Sequence, residues 1–480
     1  MISWGVSAGF HDAAVSVVQD DIILFASHSE RYSRIKNDKD LNWGLIRAAL
    51  EFGKPDIIFW YENPLLKATR RIWAGQKNWY KNPKSYFTDV GYNPEFQDPE
   101  CPIEWGNHHK SHFAAGYYTS PFVSSATLVI DAIGEWTTTS IWKNDKKVWS
   151  SHYPKSLGLF YSAFTDRLGL KSNEDEYILM GMAAYGDPSR FYKEIMELTH
   201  TVKNMHKGVR DWRPELAKEQ DFFDIAAAVQ KVFESYLHGL LSKTKELTGE
   251  RNLVYMGGCA LNCLANRLIP HYFNNHWILP NPGDAGSSLG AILAHTKEKV
   301  KFHTPYLGHE IKGDYPVDSA LQELLQCGIV GIANGRAEFG PRALGNRSLL
   351  ADPRGKEMQD KVNAIKQRQE FRPFAPVIRQ QDAKDCFNVD IHFNSPFMQQ
   401  VVKCKYPDKY PAIVHKDGTS RVQTVTYNQN KGLYLLLTRW YEETGCPMLL
   451  NTSLNIKGQP IVNTESDGQL FALHYDVKVV

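Results

Sequence analysis

Two similar stretches of sequence, one at the N-terminus and one near residue 130, constrain the fold of this chain more than any other feature. Residues 2–18 read as a strand, a turn at 9–12 and a returning strand. Residues 127–142 repeat that order, with the turn at 132–135. In each unit the first turn carries polar residues, which is typical of one structural unit used twice. The repeat predicts a duplicated α/β domain, and the alternative is two unrelated hairpins.

Length and composition predict a globular protein of more than one domain. A chain of 480 residues exceeds the usual size of one domain, and 42% hydrophobic with 22% charged residues supports a large core. The formal net charge of +2 argues against a general nucleic-acid surface, which needs a strong basic excess. A polar segment at about 298–318 is the best candidate boundary between domains.

The N-terminal residues and the cysteines indicate a cytoplasmic protein. The sequence starting at Met1 lacks a basic region followed by an apolar run, so no signal peptide is predicted. No apolar run approaches the roughly 20 residues that span a bilayer. The seven scattered cysteines form no C-x-x-C pair, so neither a disulfide framework nor a zinc ribbon is expected.

Segment 335–348 concentrates arginines among glycines, which is typical of a phosphate-binding site. Guanidinium groups match phosphate oxygens bidentately, and glycine lets backbone N–H groups approach an anion. More basic residues follow at Arg354, Lys366, Arg368, Arg372 and Arg379. The region therefore predicts binding of a nucleotide and a second phosphate, and the alternative is a solvated basic surface.

Two histidines four residues apart predict a metal site. On a helix, His108 and His112 would project from one face, and Asp131 and Asp284 both lie at turns that the fold could bring near them. Two imidazoles with one or two carboxylates suit Fe(II), Mn(II) or Zn(II). The alternative is a polar helix with exposed histidines.

Three other features have both a functional and a structural interpretation. His11 has the side chain of a general base near neutral pH, or it is a capping or buried structural histidine. Segment 67–86 interleaves basic and aromatic residues; we favour an amphipathic helix with Trp73, Trp79 and Tyr80 packed inward over a nucleic-acid contact. Cys259 and Cys263, four residues apart, are expected to be small core residues rather than metal ligands.

Four motifs in the second half resemble the O-carbamoyltransferases of the nodulation and antibiotic-tailoring type. They are EFGPRALGNRSLLADPR (338–354), FRPFAP (371–376), HKDGTSRVQTV (415–425) and NTSLNIKGQPIV (451–462). The first half resembles the universal tRNA-threonylcarbamoylation ATPase domain that these enzymes share. Its matching segments include GFHDAAVSVV (9–18), HHKSH (108–112), MGGCALNC (256–263) and NPGDAGSSLGA (281–291).

The resemblance implies a fold and a set of site residues. It implies a duplicated actin/hexokinase-like (Kae1-like) domain over 1–310 and a YrdC-like α/β domain over 311–480. In the first domain it implies metal ligation by His108, His112, Asp131 and Asp284. It implies that His11 lies beside the carbamoyl group and that Lys36 contacts the substrate. It also implies that Gly257, Gly258 and Asn262 bind the nucleotide. In the second domain the implied phosphate- and carbamate-binding residues are Arg342, Arg347, Lys366, Arg372, Arg421, Asn451 and Ser453.

Two positions depart from the pattern of the family. Ile178 stands where the family has a lysine, and Ala132 stands where it has a glycine. These departures leave open a catalytically silent nucleotide-binding homologue. Thr452 and Asn455 are expected to cap a turn.

Together these features predict an ATP-dependent O-carbamoyltransferase. It would form carbamoyladenylate from carbamoyl phosphate and ATP with Mg²⁺, then transfer the carbamoyl group to a hydroxyl at a divalent metal, with Fe²⁺ preferred over Zn²⁺ or Mn²⁺. The expected partner is a small-molecule acceptor, with no membrane, and a homodimer is compatible with the sequence. The alternative is carbamoylation of a nitrogen or of a modified nucleic acid.

Overall fold

The chain folds into two compact units. A computed structural model describes residues 1–77, 79–93, 101–201, 205–372 and 374–480. The first unit comprises Met1–Ser33 and Asn37–Phe302, and the second comprises His303–Val480 together with Arg34–Lys36. Lys36, which the sequence analysis placed in the first domain, therefore belongs to the second unit.

The first unit contains two sheets of identical topology. The strands of the first sheet are β1 (Ile2–Ser7), β2 (Ala14–Gln19), β3 (Ile22–His28), β4 (Ile57–Trp60) and β5 (Ile103–Trp105), in the order β3-β2-β1-β4-β5. Those of the second are β6 (Ala126–Gly134), β7 (Thr137–Lys143), β8 (Lys146–His152), β9 (Asn252–Met256) and β10 (Asn275–Trp277), in the order β10-β9-β6-β7-β8.

The pairing directions of the two sheets also agree. In each sheet the first three strands form an antiparallel meander, and the last two strands run parallel to the first. The repeat at 2–18 and 127–142 is thus the start of each half of a duplicated α/β unit, and not a pair of unrelated hairpins.

Eleven α-helices of the described chain accompany these sheets. They are α1 (Glu30–Ser33), α2 (Trp43–Leu50), α3 (Pro64–Trp73), α4 (Pro83–Thr88), α5 (His108–Thr119), α6 (Leu157–Arg167), α7 (Glu176–Met182), α8 (Tyr192–Thr201), α9 (Glu219–Thr248), α10 (Cys263–Asn266) and α11 (Ser287–Thr296). Small residues let α5 and α11 approach closely, since a Cβ on Gly290 would lie 1.9 Å from the carbonyl oxygen of Ser111. This approach brings the start of α11 to the histidine face of α5.

The second unit has its own sheet and core. Six strands form the order β12-β14-β18-β15-β17-β16, and β11 pairs with β13 in a separate ribbon. The strands are β11 (Tyr306–Ile311), β12 (Ile329–Ala333), β13 (Gly335–Glu338), β14 (Arg347–Ala351), β15 (Ala375–Arg379), β16 (Gln400–Lys403), β17 (Thr419–Val425) and β18 (Met448–Ser453). The helices are α12 (Val317–Cys327), α13 (Lys356–Lys366), α14 (Ala383–Cys386), α15 (Lys431–Thr444) and α16 (Glu465–Tyr475). Leu349, Leu449 and Trp440 are among its buried core residues.

The prediction for segment 67–86 is wrong. Its helix α3 ends at Trp73, because Gly75 follows and Asn82 caps a new helix that begins at Pro83. Trp73, Trp79 and Tyr80 are exposed rather than packed inward. Residue 78 lies outside the described residues.

Within the described parts of the chain, no helix combines the length and the apolar composition that crossing a membrane would require.

Candidate metal centre and phosphate-binding site

Four side chains of the first unit converge in its interior. His108 and His112 lie one turn apart on α5, whose N-terminus Asn107 caps by accepting the backbone N–H of Lys110. Asp131 lies in β6 where the register with β7 shifts, and a bulge of this kind re-aims a side chain. Asp284 begins the turn that leads into α11. All four residues are buried, so the alternative of exposed histidines is excluded.

The ligand atoms of these residues lie within 4.8 Å of one another. Nε2 of His108 lies 3.1 Å from Oδ2 of Asp131 and 3.4 Å from Oδ1 of Asp284. Nε2 of His112 lies 3.1 Å from Nε2 of His108 and 3.2 Å from Oδ1 of Asp284. Two nitrogens and two carboxylate oxygens facing one point form a donor set for a divalent transition metal.

The electrostatics of the cluster also favour a cation. Burial lowers the pKa of His108, but Asp284 and Asp131 outweigh it and hold that pKa well above its usual value. Burial raises the pKa of Asp284, yet His108, His112 and His11 hold it well below its usual value. Burial and Asp284 raise the pKa of Asp131, yet His108 and His112 likewise hold it below its usual value. Both carboxylates are thus ionised beside the histidines, and a divalent cation would supply the positive charge that protons on those histidines supply in its absence.

Neighbouring groups fix the orientation of the cluster. Oγ of Ser287 lies 3.0 Å from Nδ1 of His112, and the backbone N–H of Gly258 donates to Oδ1 of Asp131 at 3.1 Å. The carboxylate of Glu135 accepts the backbone N–H of His108 at 3.1 Å and the side-chain amide of Asn107 at 2.6 Å. Such contacts orient metal ligands and raise their affinity.

His11 lies at the edge of this cluster. Its Nδ1 is 3.0 Å from Oδ2 of Asp12, and its Nε2 is 3.8 Å from Oδ2 of Asp284. Burial lowers the pKa of His11, but Asp12, Asp284 and Asp131 raise it to about 9. The side chain is 25% exposed, so a substrate can reach it. A hydrogen bond from Nδ1–H to Asp12 leaves Nε2 as the nitrogen that can accept a proton.

The predicted nucleotide residues form a tight turn after β9. Gly257 has a φ of 91°, and a Cβ there would lie 2.2 Å from the carbonyl oxygen of Ile130. The side chain of Asn262 caps α10 and exchanges hydrogen bonds with Gln230 at 2.9 and 3.2 Å. Asn262 therefore shapes the turn, while the backbone N–H of Gly258 connects the turn to the candidate metal ligand Asp131.

A cluster of cations surrounds Lys366 in the second unit. The amine of Lys366 donates to the carbonyl oxygen of Ser453 at 2.5 Å, to its Oγ at 3.2 Å and to Oδ1 of Asn455 at 2.7 Å. Burial, followed by Arg368, Arg372 and Lys36, holds the pKa of Lys366 well below its usual value. The three acceptors stabilise the charged ammonium form of Lys366, whereas burial and the neighbouring cations destabilise it. An anion bound here would offset the positive charge of the cluster.

Arg347 and Asn451 are both buried in the second unit, but they differ in what they can bind. All five N–H groups of Arg347 donate to backbone carbonyls, those of Asn463, Asn334, Asn346, His309 and Gly335. Arg347 thus joins loop residues to strands β11 and β13 and has no donor left for a phosphate in this conformation. Asn451 donates to Oε1 of Gln423 at 2.6 Å and to the carbonyl oxygen of Ala343 at 3.3 Å. Its Oδ1 is buried and has no partner among the described residues.

The remaining predicted arginines are half-buried. Arg421 lies on β17, and its guanidinium makes no hydrogen bond or ion pair with any described residue. Arg342 and Arg372 are also half-buried, the first in the loop before β14 and the second before β15. Glu338 organises the first of these loops, because its Oε1 accepts the backbone N–H groups of Leu344, Asn346 and Arg347.

The two departures from the family pattern have structural explanations. Ile178 is 1% exposed on α7, so its side chain is part of the core. Ala132 lies against Gly158, where a Cβ would come within 2.7 Å of its Cα. The absence of a side chain on Gly158 lets helix α6 pack directly against the backbone at Asp131 and Ala132.

Several contributing residues were missed by sequence reasoning. Asp12 adjoins His11, and Glu135 closes the turn after Asp131, so their positions beside predicted residues were the available signals. Ser287 and Gln423 gave no such signal, because their contacts with His112 and Asn451 join segments that are distant in the chain. Glu338 contacts the loop that follows it, within the first of the quoted motifs.

Comparison with known sequences identifies the family. A family model described as carbamoyltransferase N-terminus matches residues 97–293, and one described as carbamoyltransferase C-terminus matches residues 321–480. An uncharacterised protein of Synechocystis sp. is 34% identical, over 96% of this chain and 92% of that protein. Nodulation protein NolNO of Sinorhizobium fredii is 30% identical, over 95% of this chain and 76% of that protein.

A relative of named activity is similar over nearly the whole chain. The 3'-hydroxymethylcephem-O-carbamoyltransferase of Amycolatopsis lactamdurans is 28% identical, over 96% of this chain and 94% of that enzyme. This chain belongs to the carbamoyltransferase family, as its motifs predicted, and it is a transferase.

Proposed function

We propose that this protein is an ATP-dependent O-carbamoyltransferase that works in two stages. The second unit would convert carbamoyl phosphate, ATP and water into carbamoyladenylate, pyrophosphate and phosphate. The first unit would then transfer the carbamoyl group to an acceptor hydroxyl and release AMP. The observation that carries the proposal is the buried set of His108, His112, Asp131 and Asp284 in a chain of this family.

The first stage is supported by the basic side chains of the second unit and by one buried oxygen there that lacks a hydrogen-bond donor. The cations around Lys366 and the unpaired guanidinium of Arg421 suit phosphate oxygens. The buried Oδ1 of Asn451 requires a donor, which the planar NH₂ of a carbamoyl group would supply. Mg²⁺ bound with ATP would offset the repulsion between the two anionic substrates.

The second stage is supported by the position of His11. A divalent cation held by the four ligands, of which we prefer Fe²⁺ to Zn²⁺ or Mn²⁺, would supply a Lewis acid for the carbamoyl oxygen. The positive charge of that cation would neutralise Asp131 and Asp284 and so bring the pKa of His11 down from about 9 towards neutral pH. Nε2 of His11 would then accept the proton of the acceptor hydroxyl, while Asp12 holds Nδ1–H.

The finer assignments of fold and partner belong to the same proposal. We assign the duplicated first unit to the actin/hexokinase-like (Kae1-like) class and the second unit to the YrdC-like class. The acceptor would be a small molecule that carries a hydroxyl, and Gly257 and Gly258 would lie beside the nucleotide.

Product release from ATP tests the proposal. Wild-type protein is incubated with ATP and Mg²⁺, with and without carbamoyl phosphate, and AMP and pyrophosphate are measured. We expect pyrophosphate release that requires carbamoyl phosphate and falls at least tenfold in Arg421→Ala. Arg439→Ala is the matched control, because Arg439 is an exposed arginine paired with Asp318. Pyrophosphate release that does not depend on carbamoyl phosphate, or that survives in Arg421→Ala, would contradict the proposed first stage.

A further inference from the structure

One ligand of the candidate metal centre lacks a hydrogen bond that its chemistry requires. Nε2 of His108 faces Asp131, Asp284 and His112, so Nε2 is the ligating nitrogen and Nδ1 must carry the proton. This Nδ1 is buried and makes no hydrogen bond with any described residue. Nδ1 of His112, by contrast, has Oγ of Ser287 at 3.0 Å.

A buried ion pair lies next to that nitrogen. Oε2 of Glu62 is 3.9 Å from Nδ1 of His108, and Oε1 of Glu62 forms a salt bridge with the amine of Lys67. Both residues of the pair are almost completely buried, at 4% and 9% exposure. Burying two charges costs free energy unless further hydrogen bonds satisfy them, and Tyr61 and Nδ1 of His108 are the other donors beside Glu62.

We infer that Glu62 is a positioning residue of the metal centre, which accepts Nδ1–H of His108 while Lys67 holds its other oxygen. The distance between Oε2 and Nδ1 exceeds a hydrogen bond by about 1 Å, a movement that a small rotation of the imidazole provides. The bond fixes the tautomer with a free lone pair on Nε2 and makes that nitrogen a stronger ligand. This inference rests on the metal site of the proposed function.

The substitution Glu62→Gln separates this role from simple packing. Glutamine has nearly the same shape but only one oxygen, and the amine of Lys67 can only donate. The amide oxygen would therefore face Lys67, and the amide NH₂ would face Nδ1 of His108. That nitrogen would have to accept, which moves the proton of the imidazole to Nε2 and blocks the ligating lone pair.

The test measures metal affinity in the full chain. Apo-protein is titrated with Zn²⁺ and Co²⁺ against a competing chelator, and the d–d absorption of the Co²⁺ form is recorded. We expect the dissociation constant of Glu62→Gln to rise about 10- to 100-fold, with an altered Co²⁺ spectrum. The double variant Glu62→Gln with Lys67→Met should recover most of the affinity, because the amide oxygen is then free to turn to His108.

A matched control and clear contrary outcomes complete the test. Glu104 also lies 3.9 Å from a histidine nitrogen, Nε2 of His295, but its side chain is 55% exposed, so Glu104→Gln should bind metal like the wild type. Equal affinities in the wild type and Glu62→Gln, or equal losses in the single and double variants, would overturn the role of Glu62. If the wild type itself binds neither ion, the proposed metal site fails, and that result is distinguishable from the other two.

Discussion

At the scale of single residues, Gly134 controls the position of His108, a candidate metal ligand. A Cβ on Gly134 would lie 2.2 Å from Cδ2 of His108 and 2.7 Å from its Cβ, which is closer than any real contact. The ring must therefore move in Gly134→Ala. We expect the dissociation constant for Zn²⁺ to rise about tenfold or more, as measured by chelator competition on the folded protein.

Gly239→Ala provides the control for this substitution. Gly239 lies inside α9, and a Cβ there would meet nothing within 4 Å. Alanine at this position should leave Zn²⁺ binding unchanged and stabilise the helix by about 0.5–1 kcal/mol. Unchanged Zn²⁺ affinity in Gly134→Ala would mean that the ring of His108 is not held at the position described.

At the scale of elements, the hydrogen bonds of Arg347 connect β14 to the segments packed around it. Removing its side chain takes one donor from each of five backbone carbonyls, of which that of Asn346 keeps a second donor, the backbone N–H of Asn334. We expect Arg347→Ala to lower the free energy of unfolding of the second unit by about 3 kcal/mol or more. Arg347→Lys should lose less, because an ammonium group supplies three donors.

Hydrogen exchange of peptides from β14 and β18 in increasing urea measures that loss. Arg439→Ala should change the exchange midpoint little, because the pair of Arg439 with Asp318 is exposed and contributes about 1 kcal/mol at most. A raised KM for carbamoyl phosphate in Arg347→Ala without a loss of stability would restore the phosphate-binding role that the sequence predicted.

The same residue illustrates what sequence can predict for this chain. The repeat of strand and turn predicted the duplicated unit, because hydrophobic alternation and turn residues are local properties. The motifs likewise predicted the four residues that form the candidate metal site. A motif does not distinguish an arginine that binds phosphate from one that binds carbonyls, since that depends on how distant segments, such as those at residues 309 and 463, pack around it. The outward-facing Trp73 was missed because helix α3 ends before the aromatic run is complete.

At the scale of the whole molecule, the two units have separate cores, and the proposed function assigns one stage of the reaction to each unit. The candidate metal ligands lie in the first unit, while Lys366, Arg421 and Asn451 lie in the second. Lys36 joins the second unit, where Arg34 donates to the carbonyl oxygens of Ile461 and Pro460 at 2.8 and 3.1 Å. A reaction whose two stages take place in separate units predicts that the metal ion and carbamoyl phosphate order different segments of the chain.

Hydrogen exchange followed by mass spectrometry tests that prediction. We expect Zn²⁺ to protect the first turn of α5, the bulge of β6 at Asp131 and the turn at Asp284, because a bound cation fixes four ligands at once. Carbamoyl phosphate alone should protect loop 340–346 and residues 451–455, around the orphaned oxygen of Asn451. His112→Ala should abolish only the first pattern, and Arg421→Ala only the second. Protection of loop 340–346 by Zn²⁺, or loss of both patterns in one variant, would show that the two stages are not assigned to separate units.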